Sequence, residues 1–525
     1  MKTGEPTAPS FGLLDLLTRL GHEELQNLAC RFGLVGSSPS RRTLSSKVLA
    51  KYRDPGFIGD IVRSLNQPES DLLRLIVLLQ DHLERGVRWP LGIIPSDNVT
   101  SSVSTFETLV ESGLVFRHPE ERSRVLIPTE IASAIREALL SNETSRPLTE
   151  EESVWGGTER ILWMLFRLLV AAYLGRLRQT QGETFVKRDL DTWYSSLPSD
   201  LFPPASLPHT VEISNVAGFL LSVGKGFGLI DIEGGSLHTT EQTCLWLRQP
   251  RQALLRHVWT IFLERVAIKY PDWYRFLFRV VYGPGQGRPS FDGFRTPPFD
   301  RLRTPLWDIS PPGGTGARCS LAIWLSWFGL VRVVREGSRV VAVRTPHIRL
   351  WDSPEETSSE GAPSTGTLQP NFELMVPPDT PLGTLWEIER FADHHRTDVV
   401  SIYLLSRQSI IRGLRDNLSR EEIWDRLSQI TAGRIPQNVR FSLEEWFDSF
   451  GRVQVDEVIL LRCRTAEVAE EILHISEANE AIRERLAPTI LVADRSRINS
   501  LLDTLERLGF APLVLLTGAG KERSD

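Results

Sequence analysis

A pattern of apolar and polar positions occurs three times before residue 350. Apolar residues at helical spacing end at a glycine, which is followed by Leu-Val or Leu-Ile, a polar turn and a second β-prone run. The glycines are Gly113, Gly228 and Gly329, about 100 to 115 residues apart, which is the length of a small domain. The pattern predicts a helix and then a two-stranded hairpin in each of these three helix–hairpin repeats.

The rest of the chain predicts other modules. A helical lead over 11–34 and 72–83 precedes the repeats, and 353–367, rich in Ser, Thr, Pro, Gly and Glu, has the composition of a linker. After the linker, Ser406 is expected to cap one helix, and Ser419 with Glu422 forms a capping box for the next. The predicted strands are 368–376, 399–405, 453–463 (two strands or a hairpin), 490–493 and 513–516, and the predicted helices are 382–391, 406–414, 419–430, 439–450 and 498–508.

A helix, a glycine stop and a hairpin, in this order, form the end of a winged-helix domain. The sequence therefore predicts a multidomain α+β protein, with helical and winged-helix-like modules in the N-terminal two thirds and an α/β domain at the C-terminus. The predicted parts are the helical lead with a first winged-helix-like module (1–142), a second module (154–249), a third module (250–352), the linker (353–367), the α/β domain (368–464) and an α/β extension (465–525).

Composition narrows the class of protein. Hydrophobic residues make up 41% and charged residues 24%, which excludes a wholly disordered chain and a membrane-embedded body. A formal charge of −6 excludes a chain that coats nucleic acid nonspecifically. The apolar run 161–174 contains Arg167 and is too short to span a membrane, so we expect a buried helix and a cytoplasmic protein with no membrane partner. The cysteines, Cys30, Cys244, Cys319 and Cys463, form no CxxC pair, which argues against zinc and against a disulfide framework.

Several short motifs after the linker carry a family resemblance. They are Gln369-Pro370-Asn371-Phe372, Val376-Pro377-Pro378, Tyr403-Leu404-Leu405-Ser406 and Pro436-Gln437-Asn438-Val439, with Trp446 and Gly451. This part of the chain resembles the N-terminal domain of XPB-type helicases, a helicase-associated domain that many bacterial proteins carry. Winged helices in front of such a domain are also similar in layout to the TFIIH subunit that clutches XPB. The resemblance implies a domain that pairs with like domains or flanks a motor, with a helicase or translocase subunit as the partner.

The chain lacks the motifs of recognised catalytic sites. A translocase needs GxxxxGK[ST] to hold a triphosphate, and the nearest string, Thr517–Glu522, has Glu after its lysine. Asp456-Glu457 imitates a helicase acidic box, but a turn is the favoured interpretation, as it is for the glycine-rich 224–228. Asp393-His394-His395 with Asp398 could bind a metal, although solvent-facing residues at a helix end are the favoured interpretation. We therefore predict no enzyme activity, no cofactor, no metal and no small-molecule substrate, with a site assembled from distant residues as the open alternative.

Arginines on and near the third repeat are the candidate nucleic-acid contacts. The helix of the first repeat is acidic and that of the third is nearly all apolar, so we expect neither to read bases. Strand alternation is expected to leave the hairpin arginines facing solvent, where they can meet phosphates. Arginines upstream alternate with aromatic residues, which suits nucleic acid or, alternatively, a solvated face over a buried aromatic core. The candidates are Arg332, Arg335, Arg339 and Arg344 on the hairpin and Arg295, Arg301 and Arg303 upstream.

Together these observations predict a non-catalytic helicase-associated accessory protein. It would dock on a helicase or translocase, bind DNA, or do both, in repair, transcription or genome defence. The alternative is a winged-helix transcriptional regulator.

Overall fold

The computed structural model contains two compact units, Met1–Phe441 and Ser442–Asp525. Its helices and antiparallel sheets confirm the predicted multidomain α+β class. The structure describes residues 11–34, 40–54, 56–80, 87–88, 99–119, 124–140, 152–156, 158–182, 184–203, 213–266, 273–282, 305–308, 316–336, 339–345, 365–397, 400–453 and 458–515. Among these residues, no helix combines the length and the hydrophobicity that crossing a bilayer requires.

Helices form the lead of the first unit, as the sequence predicts. The Ser40 hydroxyl accepts a hydrogen bond from the backbone N–H of Thr43, so it caps one of them. The Tyr52 hydroxyl donates to the carbonyl of Gly113 over 2.6 Å, which joins the lead to the first repeat. The helices are Leu13–Arg19 (α1), His22–Arg31 (α2), Arg41–Tyr52 (α3), Phe57–Ser64 (α4) and Gln67–Gln80 (α5).

The first repeat contains the predicted helix and hairpin. Gly113 has a φ of +76°, a left-handed conformation that favours glycine and ends the helix. The last hairpin strand lies between the other two strands of a small antiparallel sheet. The elements are Val87–Arg88 (β1), Val99–Glu111 (α6), Phe116–Arg117 (β2), Arg124–Leu126 (β3) and Thr129–Leu140 (α7).

The second repeat also contains the predicted elements. Its two hairpin strands pair with each other, and Arg178 forms an isolated bridge to Ser236 at the hairpin edge. The run 161–174, predicted to be a buried helix, is one. The elements of this region are Glu152–Gly156 (β4), Ile161–Tyr173 (α8), Lys187–Ser195 (α9), Ile213–Gly226 (α10), Ile230–Glu233 (β5), Ser236–Thr239 (β6) and Glu241–Leu247 (α11).

The third repeat contains a hairpin inside a larger sheet. Its two strands are the central pair of a four-stranded antiparallel sheet, in which β4 pairs with the first hairpin strand and Pro305–Asp308 pairs with the second. The elements are Arg251–Arg265 (α12), Tyr274–Tyr282 (α13), Pro305–Asp308 (β7), Gly316–Trp327 (α14), Val331–Glu336 (β8) and Arg339–Arg344 (β9). An edge strand of this sheet therefore comes from residues that precede the second repeat, and the predicted domain borders stay predictions.

Residues 365–441 complete the first unit, and we call them the sheet module. Ser406 and Ser419 cap their helices as predicted, and the Glu422 carboxylate accepts from the N–H of Ser419 to complete the capping box. The sheet is antiparallel, with Glu373–Val376 and Ser401–Leu404 as its central pair and Thr367–Leu368 and Asp393–Thr397 at its edges. The elements are Thr367–Leu368 (β10), Glu373–Val376 (β11), Leu382–Glu389 (α15), Asp393–Thr397 (β12), Ser401–Leu404 (β13), Arg407–Arg415 (α16), Arg420–Thr431 (α17) and Gln437–Ser449 (α18), a helix that the border between the units crosses.

The second unit packs two helices and a short helical turn onto a three-stranded antiparallel sheet, in which the last strand of the sequence lies between the other two. The predicted strand 513–516 is wrong for 513–515, which form no strand, and residue 516 lies outside the described residues. The elements are Ile459–Arg462 (β14), Ala466–His474 (α19), Ser476–Asn479 (α20), Ile482–Ala487 (β15), Ile490–Ala493 (β16) and Ile498–Arg507 (α21).

Candidate functional site

The arginines of the third hairpin do not form one exposed surface. Arg332 pairs in register with Val343, so it shares a face with Val334, whereas Arg335, three positions along the strand, lies on the opposite face. Arg332 is half-buried and Arg335 is exposed. Arg339 begins β9 as the register partner of Glu336. The expectation that alternation leaves these arginines together in solvent is therefore wrong for Arg332 and Arg335, which lie on opposite faces.

Arg344 is half-buried rather than solvent-facing. Burial lowers the pKa of its guanidinium to about 10. Its Nη2 lies 3.5 Å from the carbonyl oxygen of Val281 on α13, so the side chain reaches across the sheet to that helix. Arg335 is thus exposed as expected, while the exposure of the Arg339 side chain is not described and Arg295, Arg301 and Arg303 lie outside the described residues.

The three helices that precede the hairpins differ in what they expose. In α6, Glu107 pairs with Arg117 and Glu111 pairs with Arg31, so the acidic residues are used within the protein. In α14, every residue from Leu321 to Trp327 is buried. The helix of the second repeat differs from both of these helices.

Helix α10 of the second repeat presents such a face. Asn215, Gly218 and Lys225 are exposed on it, at spacings close to whole helical turns. This face was not among the sequence predictions. Polar or small residues recur at three- and four-residue intervals through this otherwise apolar helix, and that periodicity could have predicted the face.

A buried ion pair joins helix α8 to the sheet module. Arg167 donates from Nη1 to Oε1 of Glu389, and these side chains are 8% and 2% exposed. Burial raises the pKa of Glu389, and the nearby Arg167 opposes that rise. Removing either partner would leave a charge buried without compensation. The arginine that interrupts the apolar run 161–174 is thus a structural contact to a residue far along the chain.

His394 lies beside this ion pair, on strand β12 rather than at the helix end that the sequence predicted. Its ring meets Tyr403 edge-on, with 5.4 Å between the centroids, and meets Trp163 of α8 at 6.0 Å. Its Nε2 is 2.7 Å from Oγ1 of Thr397. Burial, helped by the positive charges of Arg167 and His395, lowers the pKa of His394 to about 3. The imidazole is therefore neutral at physiological pH. Across the described residues, no group of three or more His, Cys, Asp and Glu is placed to hold a metal ion.

Glu387, on the same helix as Glu389, is the centre of a second set of contacts. Its carboxylate accepts hydrogen bonds from Arg248 after α11 (3.1 Å) and Arg390 (3.4 Å), and it forms a salt bridge with Arg426 of α17 (2.8 Å). The thiol of Cys244 lies 3.4 Å from it, and burial together with this carboxylate raises the pKa of the thiol. Three arginines from different elements thus converge on one carboxylate.

The close approach of α11 to α15 favours a glycine at position 383. A Cβ at Gly383 would lie 3.2 Å from the Cα of Arg248 and 3.2 Å from the carbonyl of Leu247. Nearby, Asp416 accepts from the Tyr173 hydroxyl over 2.8 Å and from Nε of Arg390 over 3.0 Å. Helices α8 and α11 therefore hold the sheet module through both charge and close packing.

We call the set Arg167, Glu389, His394, Glu387, Arg248, Arg390, Arg426, Tyr173 and Asp416 the interface cluster. Each acidic residue of the cluster is neutralised by at least one arginine, and His394 is uncharged. Such an arrangement fixes the sheet module against helices α8 and α11, and its charges are paired with one another within the protein. The pairs that join α8 and α11 to the sheet module could not be predicted from the sequence, because their members lie between 139 and 243 positions apart.

A comparison with known families supports a helicase-related role for this part of the molecule. Residues 367–487 match the model of a family described as the helicase conserved C-terminal domain. The match covers most of the sheet module and continues into the second unit. No curated protein matches the chain. The fold and the match together define a multidomain α+β protein with a helicase-related domain.

Proposed function

We propose that the chain is a non-catalytic accessory protein that docks on a separately encoded helicase or translocase. The proposal rests on one observation, which is that the buried charged residues of the matched domain are paired within the protein. Glu389 pairs with Arg167 of α8, Glu387 pairs with Arg248 after α11, and Asp416 accepts a hydrogen bond from the Tyr173 hydroxyl of α8. These contacts serve to fix the domain to helices α8 and α11. The resemblance to XPB-type helicase domains and to the layout of the TFIIH subunit supports the same role.

The two Gly-Lys sequences of the chain lack the following Ser or Thr of a phosphate-binding loop, which supports a chain that is not itself an ATP-driven helicase. Gly-Lys occurs twice, at 224–225 and 520–521, and is followed by Gly226 and Glu522 where a phosphate-binding loop needs Ser or Thr. The first pair lies within helix α10, where a Cβ at Gly224 would come within 2.6 Å of the Ile230 side chain. This glycine therefore serves the packing of helix on hairpin.

An exposed aromatic residue marks a docking position on the sheet module. Phe441 of α18 is 74% exposed. It follows Arg440, whose guanidinium lies 5.2 Å from the centroid of the Trp424 ring. Aromatic and arginine side chains dominate the binding energy of protein interfaces, which favours this position as an anchor for a partner.

The test combines turnover with partner capture. Purified protein should hydrolyse ATP no faster than a buffer control, with or without DNA, and the tagged chain should recover a helicase or translocase from its native cells. Phe441→Asp should reduce that recovery, whereas Leu245→Asp, at another exposed apolar residue outside the matched segment, should not. DNA-stimulated ATP hydrolysis, or equal recovery with both variants, would overturn the proposal.

A second candidate function is DNA binding by a winged-helix regulator through the second repeat. The exposed Asn215 and Lys225 of α10, and the exposed Lys187 and Arg188 at the start of α9, favour it. The exposed Asp231 of the hairpin opposes it, because a carboxylate repels phosphate. Binding of duplex DNA that weakens with salt and with Lys225→Glu would support this function.

A further inference from the structure

The sheet of the second unit has β14 at one edge, where a further strand could pair with it. Strand β14 is followed by helix α19 and strand β15, and β15 turns directly into β16, which inserts between them. Helix α21 then follows β16. Within the described residues, β14 pairs with β16 and with no other strand, so its outer edge carries backbone groups that a further strand could use.

The handedness of crossovers says where a further strand would lie. Helices α19 and α21 share one apolar core with Ile459, Leu461, Leu491 and Ala493, so both helices cover the same face of the sheet. With both on that face, a right-handed connection from β14 through α19 leads to β15 on one side. Because β16 runs in the opposite direction, a right-handed connection through α21 leads to the other side, next to the outer edge of β14.

The segment after α21 has the properties of such a strand. Leu513 and Leu515 are 83% and 79% exposed, and no other pair of described apolar residues so close in sequence is so exposed. Pro512 suits the first position of an edge strand because it lacks an N–H group. Phe510 packs against the shared core and so anchors the start of the segment close to the sheet.

We propose that residues 512–515, which form no strand in the structure, are an intramolecular strap that in a second, closed conformation pairs with the outer edge of β14 as a fourth, antiparallel strand. The connection from Arg507 to Pro512 has the length of ordinary helix-to-strand loops. Closure covers the exposed leucines and pairs the free edge, which otherwise invites association with other chains. This inference concerns the second unit and does not rest on the proposed function.

The orientation of amides makes the strap testable. The N–H of Cys463 donates to the carbonyl of Thr489, on the side of β16. Alternation then directs the N–H groups of Leu460 and Arg462 to the outer edge and that of Leu461 to β16. Hydrogen exchange of the full chain at single-residue resolution should therefore show protection at Leu460 and Arg462 as well as at Leu461.

Val514→Pro removes an N–H group and should speed exchange at Leu460 and Arg462 by about tenfold or more. Protection of Leu461 should stay unchanged, which shows that the unit remains folded. Ala511→Pro, just outside the strap, is the matched control and should leave all three amides protected. Unprotected Leu460 and Arg462 in the parent chain would overturn the proposal. Protection that grows with protein concentration would also overturn it, because a second copy would then supply the strand.

Discussion

The second and third helix–hairpin repeats have the same local pattern and opposite environments. In the second, α10 keeps an exposed polar face and its hairpin has two strands. In the third, α14 is buried from Leu321 to Trp327 and its hairpin is flanked by β4 and β7. The pattern therefore determines a helix, a glycine stop and a hairpin, while distant segments determine whether that unit becomes a surface or a core.

The two regions consequently have different roles. The third repeat is the centre of a sheet, whereas α8 and α11, which flank the second repeat, carry the sheet module through the interface cluster. The second repeat and its neighbours can present a surface to a partner, and the third can hold the unit together.

Breaking the buried ion pair should have the largest effect. Arg167→Met leaves the Glu389 carboxylate buried without its partner, so we expect the free energy of unfolding of the first unit to fall by about 3–5 kcal/mol. Urea titration followed by tryptophan fluorescence measures it. The double variant Arg167→Met, Glu389→Leu replaces both charges by apolar side chains and should be close to the parent protein in stability. A single variant as stable as the double variant would show that the pair does not hold the modules together.

Replacing the glycines that end α10 and α14 should have the next largest effect on stability, and the effect should differ between the two repeats. Gly228 and Gly329 both have positive φ, so alanine costs about 1–2 kcal/mol at either. A Cβ at Gly329 would also lie 2.9 Å from the backbone nitrogen of Glu159, which adds about 1–3 kcal/mol of crowding, whereas at Gly228 it would meet nothing within 4 Å. Thermal unfolding should therefore show a clearly larger loss for Gly329→Ala than for Gly228→Ala. Equal losses would mean that the third repeat is packed no more tightly than the second at this position.

Local signals in the sequence predicted much of the fold correctly. The Ser406 cap, the Ser419–Glu422 capping box and the glycine stops depend on residues within a few positions, and the structure contains them. Strand β12 was missed because its sequence, Asp-His-His-Arg-Thr, has no apolar alternation. Its neighbours make it a strand, since His394 packs between Trp163 and Tyr403.

Long-range contacts explain what the sequence could not predict about the candidate site. Arg167 and Glu389 are 222 positions apart, and no periodicity links them. Strand β4, which pairs with one side of the third hairpin, likewise comes from a distant segment, so the central position of the hairpin in a sheet could not be predicted. The opposite faces of Arg332 and Arg335, in contrast, follow from their odd spacing and could have been predicted from alternation alone.

The buried histidine should make the docking of the sheet module sensitive to acid. The pKa of His394 is about 3 in the folded protein and near 6.5 when unfolded, so the unfolded chain binds the proton between these values. Stability from this group is complete above pH 6.5 and decreases as the pH falls, by about 2 kcal/mol between pH 7 and pH 5. Urea titrations at both pH values should show this loss in the parent protein. His394→Gln, which cannot titrate, should lose less, and an equal loss in both proteins would contradict the buried neutral state.

DNA binding should show the smallest difference between the two repeats, and it decides which one presents the nucleic-acid surface. Lys225→Glu on α10 should weaken binding of duplex DNA by about tenfold at about 50 mM salt, because an exposed cation that meets phosphate is replaced by a repelling charge. Lys47→Glu makes the same charge change on the exposed face of α3 and should have little effect. Fluorescence anisotropy measures all variants. If Arg335→Glu weakens binding more than Lys225→Glu does, the third hairpin contributes more to DNA binding than the second repeat. That result would contradict the contrast between an exposed second repeat and a structural third repeat.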